Sequence, residues 1–141
     1  MINNIYQIVI GSGAMFPIQL GINDQGKTGW YPVVGDPALI SQNLIALINY
    51  MIGQRFRQEE FGTRLWECIE EPNTQAQEFM VYSFLKEAIA KYENRISLQK
   101  SSVSRIGSQV KVCFSYLINT TNTSGSGSII YDSISNTTVT T

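Results

Sequence analysis

Three carboxylates, Glu67, Glu70 and Glu71, stand beside Trp66 on a short stretch that also holds Leu65 and Ile69. Two carboxyls of unlike pKa, one kept protonated by an apolar pocket, are what cleavage of a glycosidic bond requires. Acids clustered on a short helix are more commonly a solvated face, and the stretch reads that way here. Histidine is absent, which removes the usual general base, the commonest metal ligand and the middle member of a hydrolase triad. Cys68 and Cys113 lie far apart in unlike contexts and read as two free thiols, so no metal and no cofactor are expected. Gly11-Ser12-Gly13 lacks the third glycine and the Lys-Ser/Thr of a phosphate loop, and it leads into Phe16-Pro17 instead of a helix.

The remaining chemically rich residues suit recognition. Residues 53–72, GQRFRQEEFGTRLWECIEEP, crowd charge around Phe56, Phe61, Leu65 and Trp66. Burying such side chains is worth roughly 1.5–3 kcal/mol each, so the stretch reads as a hinge between helices and part of a contact surface. Arg55, Arg57 and Arg64 near Glu59 and Glu60 fit an ion-pair network that fixes the turn and fit a partner contact equally well. Glu93-Asn94-Arg95 offers an arginine fork that could clamp a partner's carboxylate or close a salt bridge at a helix end.

These residues need elements to hold them. Asp36-Pro37 has the chemistry of a helix start, a carboxylate for the first free N–H groups and a proline with no donor to lose. Leu39, Ile40, Leu44, Ile45, Leu47, Ile48 and Met51 then recur at three- and four-residue spacing up to Gly53. A shorter helix is expected over 63–70. Thr74 and Gln77 have capping-box spacing for a long helix to about Tyr92, with Phe79, Tyr82, Phe84, Leu85, Ala88, Ile89 and Tyr92 as its buried stripe. Beyond Arg95 the period becomes two: after the Gly107-Ser108 turn, Val110, Val112, Phe114, Tyr116 and Ile118 alternate with more polar neighbours, which predicts a hairpin. In residues 119–141 only Ile129-Ile130-Tyr131 is apolar enough to add a third strand, after a flexible SGSGS stretch.

The expected fold class is α+β. Residues 1–35 form an N-terminal extended arm; 36–118 form a domain of two long helices and one short helix packed on a small antiparallel β-sheet, its C-terminal hairpin; 119–141 form a Ser/Thr/Asn-rich tail. A chain of 141 residues suits one domain, and a formal charge of −1 favours neither nucleic acid nor an anionic membrane. No apolar run approaches the roughly 20 residues of a membrane span, and the N-terminus lacks a basic signal-peptide start, so cytoplasmic assembly without membrane insertion is expected.

In their order these features resemble one family, the short sheath-initiator subunits of contractile-tail baseplates, which include a phage wedge protein once called lysozyme-like and its counterpart in type VI secretion. The matching marks are IGSGAMFP, a helix running into GQRFRQEEFG, LWECIEEP, a long helix, ENRI, and a hairpin ending in YLI, over about residues 10 to 118. The family's turn usually reads Gly-Glu-Arg, then Pro-Glu-Phe/Tyr-Gly; Gly53, Arg55, Phe61 and Gly62 match, while Gln54 and Glu59 depart from it. Its Glu-Pro-Arg motif is met at Glu93 and Arg95, with Asn94 for the proline.

The resemblance implies a structural subunit, not an enzyme, in a phage tail or tail-like particle. Six copies would contact the larger baseplate wedge proteins, the sheath protein and the inner tube or hub protein. Glu93, Asn94 and Arg95 would form the wedge-contact motif, and Gly53, Arg55, Phe61, Gly62 and Trp66 the turn contact. Val110, Val112, Phe114 and Tyr116 would be a sheath-docking strand, lending backbone to a neighbour's extended arm. A muramidase-like hydrolase, which the old label suggests, and a small cytosolic adaptor are the alternative readings.

Overall fold

The computed structural model describes residues 12–14, 20–22, 25–30, 32–34, 37–70, 72, 74–132 and 137–140. The chain divides into two compact units, Met1–Asn43 and Leu44–Thr141. In the first, the expected arm is folded into short antiparallel pairs: β1 (Ser12–Ala14) with β4 (Pro32–Val34), and β2 (Leu20–Ile22) with β3 (Thr28–Trp30). Gly13 of β1 faces Leu39, whose Cδ1 would lie 2.9 Å from a Cβ placed there, so a side chain at this position would push the Leu39 methyl aside. The IYQIVI run and the helix-start residue Asp36 fall outside the described residues.

Helix α1 (Pro37–Asn49) passes from the first unit into the second, and Leu39, Ile40, Leu44, Leu47 and Ile48 along it are buried. It ends at Asn49, short of Gly53. The backbone there is taken by another partner: Thr63 N donates to Tyr50 O at 2.9 Å, and Met51 bridges Thr63 in parallel.

The second unit stacks helix on sheet. Over 63–70 the expected short helix contracts to a single 3-10 turn, Leu65–Cys68. Helix α2 (Gln75–Tyr92) starts where capping chemistry predicts, with Thr74 Oγ1 accepting from Gln77 N at 3.5 Å. The reciprocal half of the capping box is not made. Gln77 is buried instead, and its Nε2 donates to Cys68 O at 2.7 Å, joining α2 to the 3-10 turn. The buried stripe is Gln77, Val81, Leu85, Ala88 and Ile89. Phe79, expected within it, is 71% exposed, because two residues past Gln77 means about 200° around the helix.

Helix α2 packs on β5 of a four-stranded antiparallel sheet ordered β5 (Ile96–Ile106), β6 (Gln109–Ile118), β7 (Thr123–Asp132), β8 (Thr137–Thr140). The β5–β6 hairpin turns at Gly107, φ 60, as expected. The strict alternation of β6 becomes a strict alternation of burial.

The tail departs most from expectation. The SGSGS stretch is no linker, for β7 pairs with β6 along its whole length, from Thr123 opposite Ile118 to Asp132 opposite Gln109. Gly125 lies opposite Tyr116 and Gly127 opposite Phe114, and the aromatic rings fold over the glycines. A Cβ on Gly127 would come within 2.6 Å of the Phe114 ring, and one on Gly125 would strike the Tyr116 ring. The rings shield backbone that glycine leaves bare, which offsets glycine's entropic weakness in a strand.

Candidate functional site

The turn after α1 is held by its own backbone. Gly53 N donates to Glu59 O at 2.7 Å, Gln58 N to Arg55 O at 3.2 Å and Phe61 N to Gln58 O at 2.9 Å. Gly53 has φ 94 and Gly62 φ 130, which glycine adopts without strain. At Gly62 a side chain is excluded twice, since a Cβ would also lie 2.5 Å from Tyr50 O.

The base of the turn is hooked to the last turn of α2. Phe61 packs edge-on against Tyr50 and Tyr92, with ring centroids 5.8 and 5.0 Å away, and the Arg55 guanidinium lies 4.5 Å from the Phe61 ring centre. Tyr92 OH donates to Glu60 O and Lys91 Nζ to the Glu60 carboxylate, both at 2.6 Å. Lys91 holds the Glu60 pKa below its ordinary value, although the pair is exposed and contributes little to stability.

One residue further on the chain makes the corner from α2 into β5. Glu93 is 5% exposed and accepts from Arg95 Nε and Nη2 at 2.5 Å each, a two-pronged pair that raises the arginine's pKa. Asn119 N donates to Arg95 O at 2.9 Å and Asn119 Nδ2 to Asn94 O at 3.4 Å, tying the corner to the end of β6. The Glu93 carboxylate thus turns inward onto Arg95, and Asn94 is the exposed residue of the three. Two charges two residues apart across a helix end reach each other before they reach a neighbour.

Trp66 also turns inward. Its ring meets that of fully buried Tyr131 on β7 edge-on at 4.8 Å, linking the 3-10 turn to the sheet. Burial raises the Tyr131 pKa far above that of a free phenol. On β6, Val110, Val112, Phe114 and Tyr116 are buried, and the strand is paired on both sides, so it has no spare backbone to lend. Docking by strand addition must therefore use an outer strand. Strand β5 is blunted by an irregularity between Leu98 and Lys100 and by the charge of Lys100. On β7, β8 covers only Ile129–Asp132, and among the described residues no strand covers the outer edge of 123–127. The sequence signal for this edge was two glycines spaced like the two aromatics opposite them; its Ser/Gly composition reads as linker until that register is known.

Among the described residues, the carboxylates beside Trp66, Glu67 and Glu70, are not arranged for acid catalysis. Glu67 is exposed and paired with Arg64 at 2.9 and 2.7 Å, which lowers its pKa where a general acid needs it raised. Glu70 is exposed, and Glu71 lies outside the described residues.

Fold and site describe a small α+β scaffold whose singled-out residues brace a turn, a corner and a sheet. A profile of the family described as baseplate wedge protein gp25 matches residues 36–123, and the chain belongs to that family. No curated protein matches it in sequence. A crystal structure of a protein named as a tail lysozyme, from Geobacter sulfurreducens, is similar with a TM-score of 0.58 and 18% identity, covering 66% of this chain and 86% of that one. A chain in the cryo-EM structure of the post-contraction baseplate of pyocin R2 is similar with a TM-score of 0.57 and 18% identity, covering 72% of this chain and 99% of that one. At such identity the likeness carries the fold alone.

Proposed function

We propose that the chain is a structural subunit of a contractile-tail baseplate and works by docking, without transforming a substrate. Its membership of the baseplate wedge family over residues 36–123 carries this reading. The turn and the α2–β5 corner, joined through Phe61, Glu60 and Tyr92, form one braced block suited to face the larger wedge proteins. The open part of β7 is suited to receive an extended arm from the sheath protein by strand addition. Each added hydrogen bond contributes a net ~0.5–1.5 kcal/mol, so a short joint is weak alone. Six copies around the inner tube or hub make it strong through multivalency.

The test is deletion of the gene from a set that otherwise produces particles in the cytoplasm. Tubes on baseplates without sheath are expected, with sheathing restored by the intact chain; sheathed tails formed in its absence sink the proposal. Hydrolysis of peptidoglycan by the purified protein, lost on Glu70→Gln, would establish the enzymatic alternative.

A further inference from the structure

We infer that the tip of the turn, Phe56 with Arg57, is a preformed anchor for a partner protein that offers an apolar socket rimmed by carboxylates. Phe56 is 87% exposed, and the turn cannot fold to cover it, because the Gly53 N to Glu59 O bond and the bond from Gln58 N to Arg55 O close the loop around it. Single exposed apolar residues are ordinary on a surface. This one stands beside backbone strain. Arg57 sits at φ 66, a left-handed conformation uncommon for any residue but glycine, asparagine or aspartate. Strain of that kind survives where the surroundings enforce it, and it clusters at binding sites.

Charge names the partner's chemistry. Elsewhere in this block the cations are matched to acids, Arg64 to Glu67 and Lys91 to Glu60. Arg55 and Arg57 lie instead over aromatic rings, 4.5 Å from the centre of Phe61 and 5.6 Å from that of Phe56. Among the described residues neither has a carboxylate within ion-pair distance, Glu59 of the same loop included. An exposed apolar ring with the Arg57 guanidinium over it and Arg55 in the same loop has the make-up of an interface hot spot, and its complement is an apolar pocket with acids at the rim. Nucleic acid fits less well, since a chain of formal charge −1 offers a polyanion no general attraction.

The inference rests on the assembly reading in taking that partner from the same particle, and the experiment separates the two. The full chain carrying a photoreactive phenylalanine at position 56 is expressed with the particle's genes, and its presence in purified particles is measured first. It should be present and should crosslink to an apolar segment of another particle protein bearing at least two Asp or Glu residues. Phe56→Ser and Arg57→Glu should each lower its incorporation on the order of tenfold with an unchanged melting temperature. Arg57→Gly, which removes the charge and relieves the positive φ, should also lower incorporation, so unfolding cannot be the cause. A chain present in particles whose position 56 crosslinks to nucleic acid, to another copy, to a segment without acids or to nothing overturns the anchor alone. So does undiminished incorporation of Phe56→Ser. Absence of the chain from particles overturns both readings.

Discussion

The corner at Glu93–Arg95 and the tip at Phe56–Arg57 are both built around arginine, within one compact unit, and they use it in opposite ways. At the corner the guanidinium is spent internally on a nearly buried carboxylate. At the tip the Arg57 guanidinium lies over the exposed ring of Phe56, on a left-handed backbone and with no carboxylate within ion-pair distance among the described residues. A charged motif in this chain is therefore not by itself a contact: what decides is whether the fold has already supplied the counter-charge.

The largest effect that would break this contrast is at the foot of the turn. Gly62→Ala combines positive-φ strain with a clash against Tyr50 O and should destabilise the protein by about 4 kcal/mol, read as a fall in denaturation midpoint. Next comes Arg95→Ala, which leaves Glu93 buried without its partner. For a pair whose arginine is 25% exposed, a loss of about 2–3 kcal/mol is expected in chemical denaturation, somewhat below that of a fully buried pair. Such a variant tests stability before it tests docking; Asn94→Asp, on the exposed residue, is the cleaner probe of a wedge contact. Thr74→Ala removes the cap of α2 and should cost about 1 kcal/mol. Phe56→Ser should change stability by less than about 0.5 kcal/mol, and Arg57→Gly, which relieves the positive φ, should raise it by about 1 kcal/mol, both while reducing incorporation into particles. A large stability loss at the tip, or none at the corner, would erase the distinction.

Much of the scaffold was legible beforehand because its signals are local. The spacing from Leu39 to Ile48, the Thr74 cap and the alternation from Val110 to Ile118 each depend on a few neighbouring residues, and each appears as an element close to where it was expected. Legibility failed where a distant partner decides. Gln77 has the type and place to close a capping box, yet its side chain goes to Cys68, nine residues back. Residues 124–128 have linker composition, yet Phe114 and Tyr116 make them strand. Trp66 has the look of a surface anchor, yet Tyr131 takes its ring.

From the order of residues alone came the class of the fold, its helix-to-strand succession and, through the GQRFRQEEFG and ENRI marks, the baseplate family. The fold class and the succession of elements follow from periodicity, capping and turn chemistry, which act over one or two turns of chain, and the family from the resemblance of those marks. Only the folded molecule decided which arginines have counter-charges, which backbone edge stays open and which phenylalanine faces water. Such outcomes are set by pairings between residues tens of positions apart, and pairings of that range leave no periodic trace in a single chain.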